Sequence, residues 1–82
     1  SNYTTVVLVG GKKVVVSKVL KEIDEALSGP DFFRVHSSFL INLNHIKKFV
    51  RVDGGYIVMD NDATINISRS RRQEFMEMFS KF

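Results

Sequence analysis

The chain contains no cysteine and no tryptophan, and proline occurs once. Without cysteine it can form neither a disulfide nor a thiolate metal site, which excludes disulfide-stabilised scaffolds and cysteine-ligated zinc sites. This composition fits a reducing compartment, so we expect a cytoplasmic protein. No apolar run approaches the roughly 18 residues that a membrane-spanning helix needs, and no segment resembles a secretory signal.

The length of 82 residues predicts one domain over residues 1–82. Hydrophobic residues make up 44% of the chain and charged residues 26%, a balance that argues against disorder. A domain of about 70–80 residues has a net stability of only a few kcal/mol. The core must therefore be well packed.

The net charge of +3 is unevenly distributed along the chain. Acidic residues are concentrated at Glu22, Asp24 and Glu25, and basic residues form two groups: Lys47, Lys48 and Arg51, then Arg69, Arg71 and Arg72. Grouped bases on a small basic domain are typical of proteins that bind a polyanion. The alternative is an ordinary solvated surface.

The first third of the chain predicts a β-hairpin followed by a helix. Residues 3–9 and 12–16 are rich in β-branched side chains and flank Gly10-Gly11, a pair suited to a tight turn. Ser17 is predicted to cap a helix that runs to about Leu27, with apolar residues at three- and four-residue spacing. Gly29-Pro30 ends it.

The rest of the chain predicts further hairpins and a terminal helix. Strands are expected at 32–36, 45–52, 56–59 and 63–67, with turns at 53–55 and 60–62. Ser38 is predicted to cap a short helical turn over 39–41, an extended segment being the alternative. Ser68 is predicted to cap the last helix, whose inner face carries Phe75, Met76 and Phe79. The predicted fold class is α+β, predominantly antiparallel β, with one helix in the middle and one at the C-terminus.

Catalytic and metal-binding patterns are absent from the polar residues of this chain. His36 and Ser37 are adjacent on a predicted strand, so their side chains point to opposite faces. His36 and His45 are nine residues apart, and no third or fourth ligand is evident. The run Asp60-Asn61-Asp62 lacks the alternation of a calcium loop. The sequence therefore predicts no enzyme activity, no metal and no cofactor.

The segment Ser68-Arg69-Ser70-Arg71-Arg72 joins a predicted strand to the last helix. Free amides at such a junction favour phosphate, and serine hydroxyls and arginines add further phosphate contacts. Three arginines at a helix start are unfavourable by roughly 0.3–1 kcal/mol each, because they oppose the helix dipole. A local conflict of this kind is more expected at a functional site. We therefore interpret the segment as a contact to nucleic acid, the alternative being a capped helix with a basic first turn. Duplex DNA is favoured over RNA, because the chain lacks the aromatic signature of RNA-binding modules.

The stretch FFRVHSSFLINLNHI, residues 32–46, resembles the central signature of the LytTR DNA-binding domain family. The matching positions are Phe33, Arg34, His36, Ser38, Phe39, Leu40, Ile41, Asn42 and Ile46. The flanking segments NYTTV, LKEIDEAL and INISRSRRQEFMEMF resemble the family's strand, helix and terminal strand-to-helix segment. The resemblance therefore covers nearly the whole chain.

This resemblance implies the output domain of a bacterial response regulator, preceded by a receiver domain and bound to direct-repeat promoter DNA. In the family, loops between strands enter successive major grooves and bend the duplex. Carried onto this chain, base contacts fall at Tyr3, Ser37 and Arg69, and a phosphate contact at Ser38. Loop-shaping hydrogen bonds fall at His36 and Asn42. With the phosphate contacts expected from Ser68, Arg71 and Arg72, these residues form the predicted site.

Two departures from the family pattern affect what is expected. The family often has arginine or asparagine where Ser37 stands, so base readout there is predicted to be weak or different. The family domain also begins with strands upstream of the NYT segment, so the chain is predicted to be N-terminally incomplete. A missing strand would leave an open β edge that favours a homo-oligomer. A protein-interaction module that pairs through this edge is the alternative function.

Overall fold

The computed structural model describes residues 2–27 and 29–81. Within these residues, antiparallel strands form two hairpins and a three-stranded sheet. The strands are β1 (Thr4–Val7), β2 (Lys13–Val16), β3 (Phe32–His36), β4 (Phe39–Asn42), β5 (Ile46–Val50), β6 (Tyr56–Met59) and β7 (Thr64–Asn66). The helices are α1 (Leu20–Ala26) and α2 (Arg72–Lys81). The predicted α+β class with antiparallel pairing is confirmed.

The predicted hairpin of β1 and β2 forms, but both strands are shorter than predicted, since β1 ends at Val7 and β2 begins at Lys13. Its register places Thr5 opposite Val15 and Val7 opposite Lys13. Gly10 and Gly11 both have positive φ, at 91° and 89°, which explains why glycine occupies this turn. Much of the hairpin's apolar surface remains exposed.

The predicted helix cap at Ser17 is wrong, because α1 begins only at Leu20. Val19 occupies the N-cap position, and no side chain caps the helix there. The Thr4 hydroxyl donates a hydrogen bond to the Lys18 carbonyl at 2.6 Å, which ties the residues after β2 to the start of β1. This long-range bond keeps Ser17 and Lys18 outside the helix.

The hairpin of β3 and β4 has the predicted bounds for β3 but not the predicted helical turn. Residues 39–42 are a strand, so the extended alternative is correct and the cap assigned to Ser38 is wrong. Phe33 lies opposite Ile41, and both are buried. Both β3 and β4 must be extended for these two side chains to be buried on the same face, since residues along a strand alternate between its faces.

The three-stranded sheet places β6 between β5 and β7. Phe49, Ile57 and Ile65 are aligned across it and pack in the core. β6 has its predicted bounds, whereas β5 ends at Val50, two residues earlier than predicted, where a 3₁₀ turn over Val52–Gly54 begins the reversal.

The core lies between the sheet, the β3–β4 hairpin and α2. Phe75 of α2 is fully buried, with ring centroids 6.0 Å from Phe33, 5.3 Å from Phe49 and 5.4 Å from Phe79. Phe75 and Phe79 thus lie on the inner face as predicted, while Met76 is half-buried beside a surface pocket.

A 3₁₀ turn over Arg69–Arg71 precedes α2, and Ser68 occupies its N-cap position. The Ser68 carbonyl accepts a hydrogen bond from the Arg71 amide at 3.0 Å, but the Ser68 hydroxyl makes no cap bond. The position predicted for Ser68 is therefore correct, and the predicted side-chain cap is wrong. No helix in the described ranges is both long and apolar enough to cross a membrane.

Gly55 supports a prediction about the turn between β5 and β6. Its φ is 95°, and a Cβ atom built there would lie 3.1 Å from the Phe49 ring. We expect Gly55→Ala to destabilise the fold by about 1–3 kcal/mol, because the positive φ strains an alanine backbone and the new Cβ atom crowds the Phe49 ring. Urea unfolding monitored by circular dichroism measures this. Gly11→Ala is the matched control, with positive φ but no atom within 4 Å; equal losses in both variants would contradict the clash.

Candidate nucleic-acid interface

A β-bulge near the end of β3 joins the two segments that the sequence marks as contacts. The register shifts between Arg34 and His36, so one extra residue is accommodated there. The Val35 carbonyl accepts a hydrogen bond from the Ser68 amide at 3.0 Å, and the Arg34 carbonyl accepts one from Arg71 Nε at 2.9 Å. The bulged strand therefore holds the segment 68–71 against the β3–β4 hairpin.

A cleft of about 500 Å³ lies between these two segments. Two arginines, three serines, a histidine and one acidic residue line it: Arg34, Arg71, Ser37, Ser68, Ser70, His36 and Asp24. We call it the serine cleft. Its lining offers several hydrogen-bond donors and two guanidinium groups, which suits an anionic, hydrogen-bonding ligand such as a nucleic-acid backbone.

The Ser37-Ser38 turn at the mouth of the cleft is fixed by side chains on either side of it. His36 Nδ1 accepts a hydrogen bond from the Ser38 amide at 3.0 Å, and Arg34 Nη2 donates one to the Ser37 carbonyl at 2.6 Å. Because Nδ1 accepts, the neutral His36 ring carries its proton on Nε2. The ring also lies 5.3 Å from that of Phe39, which is 39% exposed.

Three serine hydroxyls in and beside the serine cleft are available to a ligand. Ser37 and Ser38 are exposed, and Ser68 is half-buried. Among the described residues, none of these three hydroxyls forms a hydrogen bond to another side chain or to the backbone. A serine hydroxyl can donate to a phosphate oxygen or interact with a base edge.

The three arginines of the segment 68–72 have different surroundings. Arg69 is exposed and has no hydrogen bond or ion pair from its side chain to any described residue. Arg71 Nη1 is 3.0 Å from Glu74 Oε1, and its guanidinium lies 4.8 Å from the centre of the Phe33 ring. Arg71 is thus largely held by the protein, while Arg69 is free to bind a partner.

Arg72 lies apart from the serine cleft. Its guanidinium packs against Gly54, and its Nε is buried without a hydrogen-bond partner. It lines a separate pocket of about 210 Å³ together with Phe49, Arg51, Gly54, Gly55 and Met76. A phosphate contact by Arg72 would therefore lie at this second pocket rather than in the cleft.

The other basic group, around β5, is partly neutralised by the β6–β7 turn. Lys47 Nζ lies 2.7 Å from Asp62 Oδ1. This hydrogen bond, with the attraction between the charges, raises the pKa of Lys47 and lowers the pKa of Asp62. The stabilisation from Asp62 is present above its ordinary pKa and is lost as the pH falls through its lowered value. His45 and Asp60 form a second pair at 2.7 Å.

Comparisons with known proteins identify the family to which this chain belongs. A family model for the LytTr DNA-binding domain matches residues 1–80. The chain belongs to the LytTR DNA-binding domain family. A LytTr DNA-binding domain from Bacillus cereus, whose parent is described as a methyl-accepting/DNA response regulator, has a similar structure, with a TM-score of 0.75 and 20% sequence identity. The alignment covers 95% of this chain and 96% of that chain. No curated protein matches significantly.

The LytTR fold brings together only part of the predicted site. His36, Ser37, Ser68 and Arg71 meet at the serine cleft, with Ser38 in the adjoining turn. Asn42 does not line the cleft; its Oδ1 accepts the Asn44 amide at 2.9 Å and shapes the 3₁₀ turn Leu43–His45. Tyr3 precedes β1 and is 65% exposed.

The predicted site residues leave out three residues that line the LytTR domain's cleft: Asp24, Arg34 and Ser70. Ser70 lies within the segment 68–72, which the sequence did single out. Arg34 belongs to the signature that identified the family, so its position could have been singled out. Asp24 is one of three acids on α1, and its contact with Arg34 at 3.9 Å joins residues ten apart in sequence. No local pattern distinguishes it from Glu22 or Glu25. In the described ranges, no group of three or more histidine, aspartate or glutamate residues could hold a metal ion.

Proposed function

We propose that this LytTR domain recognises specific duplex DNA sequences as the output domain of a bacterial transcriptional response regulator. The observation that supports this most directly is the docking of segment 68–71 onto the bulge of β3. It places an exposed Arg69 next to a cleft of serine hydroxyls, so one rigid unit presents both contact segments.

Base contacts are assigned to Arg69, Ser37 and Tyr3. An unpaired arginine can donate two hydrogen bonds to the O6 and N7 atoms of guanine in the major groove. Ser37 adds a weaker, less selective contact because its side chain is short. Ser37 lies in the turn between β3 and β4, Arg69 in the 3₁₀ turn before α2, and Tyr3 just before β1. We propose that these connecting segments enter successive major grooves.

Phosphate contacts are assigned to Ser38, Ser68, Arg71 and Arg72. Such contacts set the position of a protein on the duplex without selecting sequence. Arg72 and the neighbouring Arg51 would bind the backbone at the second pocket, some distance from the cleft. His36 and Asn42 shape the loops through the hydrogen bonds that they make to Ser38 and Asn44.

We further propose the setting in which this domain works. By its family, the full-length protein carries a receiver domain before this chain, binds direct repeats in promoters, and works in the cytoplasm. These repeats would place neighbouring copies on one face of the duplex.

The function is tested by selecting duplexes from a random pool with the wild-type chain. Its affinity for the selected duplex and for a scrambled duplex of equal composition is then measured by fluorescence anisotropy at 50 and 200 mM salt, values chosen to span the range in which phosphate contacts weaken. We expect the selected duplex to bind at least tens of times more tightly, since specific sites usually exceed non-specific ones by about 10³–10⁷. Equal affinity for both duplexes at either salt concentration would contradict the proposal.

Arg71→Ala is expected to weaken binding to both the selected and the scrambled duplex through the lost phosphate contact, and to weaken the selected duplex further because Arg71 Nε also holds segment 68–71 against the Arg34 carbonyl. Loss of one phosphate contact should reduce the slope of log affinity against log salt by about one unit. The fold should also lose about 1–2 kcal/mol, because Arg71 donates to the Arg34 carbonyl. Lys81→Ala, in the last turn of α2, is the control and should leave the slope unchanged; a change in preference without a change in slope would argue against a phosphate contact.

The β1–β2 hairpin supports a second candidate, pairing with another copy of this chain. Val9 is 82% exposed, Val15 63% and Val7 47%, and a two-stranded hairpin has unpaired backbone groups along its outer edges. Self-association of this kind would survive added salt, whereas DNA binding would weaken. Size-exclusion chromatography with light scattering at rising protein concentration distinguishes the two; a monomer throughout would exclude pairing through the hairpin.

A further inference from the structure

Arg34 lies on β3 just before the bulge, and its side chain reaches across the turn that follows. Its Nη2 donates to the Ser37 carbonyl at 2.6 Å. The bond fixes the backbone of Ser37, the residue assigned to base contact. Together with the hydrogen bond that His36 Nδ1 accepts from the Ser38 amide, this bond fixes the Ser37-Ser38 turn.

The guanidinium of Arg34 is held from its other side by α1. Nη1 lies 3.9 Å from Asp24 Oδ2, and the side chains are 26% and 40% exposed. The planar guanidinium hydrogen-bonds to the Ser37 carbonyl through Nη2, while Nη1 is close enough to Asp24 for charge attraction but not for a hydrogen bond. Arg34 would have to give up these contacts to reach a phosphate, so its charge acts within the protein.

Arg34 also connects the two contact segments through its backbone. Its carbonyl accepts the hydrogen bond from Arg71 Nε at 2.9 Å. Arg34 therefore links the Ser37-Ser38 turn, through its side chain, to the segment that carries Arg69, through its backbone. If the Arg34 side chain lost its contact with Ser37, the turn could shift relative to that segment. Base readout requires both in register with one duplex, whereas phosphate attraction tolerates such a shift.

Asp24 is the acidic member of the serine cleft, a surface otherwise lined with donors. A carboxylate there repels phosphate and weakens non-specific attraction to DNA. Such a carboxylate serves a site that discriminates between sequences. Specificity is the difference between two affinities, and it increases when binding to non-specific DNA is weakened.

We propose that Asp24 and Arg34 form a specificity-determining pair, in which Arg34 positions the Ser37-Ser38 turn and Asp24 holds Arg34 in place while suppressing non-specific binding. The inference rests on the proposed function. It assigns to Arg34 a positioning role and to Asp24 an unfavourable effect on phosphate attraction, neither of which is a direct contact with a base.

Two variants test the pair with the selected and scrambled duplexes as probes. Arg34→Lys keeps the charge but cannot reproduce the forked contacts. We expect about a tenfold loss on the selected duplex, comparable to one lost charge-assisted hydrogen bond, and little change on the scrambled one. Asp24→Asn should tighten binding to the scrambled duplex several-fold, because one charge that repels phosphate is removed. It should also reduce the ratio of affinities for the selected and scrambled duplexes about five- to tenfold, because Arg34 is released as well.

Glu22→Gln is the matched control, since Glu22 forms an exposed pair with Lys18 at 3.8 Å on the same helix, outside the cleft. Its affinity ratio should equal that of the wild type. Hydrogen exchange gives a second readout: the Ser38 amide should exchange faster in Arg34→Lys than in Glu22→Gln. If Arg34→Lys does not fold, Asp24→Asn decides the question alone. A wild-type ratio in a folded Asp24→Asn would overturn the pair, while a wild-type chain without any preference would overturn the proposed function itself.

Discussion

Phe75→Ala is expected to destabilise this LytTR domain by about 3–5 kcal/mol, the usual cost of removing a buried aromatic ring. Phe75 is fully buried and contacts the rings of Phe33, Phe49 and Phe79, which come from the β3–β4 hairpin, the three-stranded sheet and α2 itself. These neighbours belong to three elements, so the cavity cannot collapse by moving only one of them. A small domain has a net stability near this loss, so much of the variant should be unfolded at 25 °C.

Thermal and urea unfolding, followed by circular dichroism, measure this loss. Phe39→Ala is the matched control, because Phe39 is 39% exposed and its main ring contact is with His36. Its removal should cost about 1 kcal/mol, the value of an aromatic pair at a partly exposed position. If the two variants unfold at the same urea concentration, Phe75 does not organise the core as described.

The parts of the fold that could be predicted from sequence are those in which local chemistry and tertiary packing agree. Strands β3 and β6 have their predicted bounds because β-branched and aromatic residues are bounded there by turn residues that act locally. The alternation over residues 63–67 corresponds to real alternation in burial. In each case the side chains that favour a strand are also those that the core buries.

The helix caps predicted at Ser17 and Ser38 fail for a different reason. Serine favours an N-cap only when nothing else determines the backbone. After β2 the Thr4 hydroxyl holds the Lys18 carbonyl, and after β3 the pairing of Phe33 with Ile41 extends the chain. Both constraints join residues that are well separated in sequence, so neighbouring residues give no sign of them.

The candidate site was predictable to the extent that its residues belong to a contiguous motif. The signature FFRVHSSF identified the segment that carries Ser37 and Ser38, and the segment 68–72 identified the basic junction. Their mutual placement depends on the bulge at Val35 and on the bonds from Ser68 and Arg71 that it accommodates. The different surroundings of Arg69, Arg71 and Arg72 also follow from tertiary packing. Local sequence gives the three arginines equal standing, and only the family resemblance separates Arg69, as a base contact, from Arg71 and Arg72.

Arg69→Ala is expected to reduce affinity for the selected duplex by about 1–3 kcal/mol and to abolish preference at one base pair. Arg69 is exposed and unpaired among the described residues, so its removal leaves no buried group unsatisfied and should hardly change stability. The loss therefore reports on the DNA contact rather than on the fold. Arg69→Lys should recover charge but not base preference, since lysine lacks the planar fork that matches the guanine edge.

Single-base variants of the selected duplex, titrated with wild type and both Arg69 variants, locate the contact. If Arg69 binds a guanine, the wild type should lose affinity when that base pair is changed, while Arg69→Ala should bind the original and changed duplexes equally. Arg51→Ala is the control, because Arg51 lies at the second pocket and its guanidinium is 6.0 Å from the Phe49 ring. It should weaken all duplexes alike or not at all. If Arg69→Ala discriminated at every base pair as the wild type does, Arg69 would not contact a base. Ser37 and Tyr3 would then be the remaining assigned base contacts. These are an unfavourable pair for base recognition, because a serine hydroxyl donates to or accepts from any base and a single phenol makes one hydrogen bond.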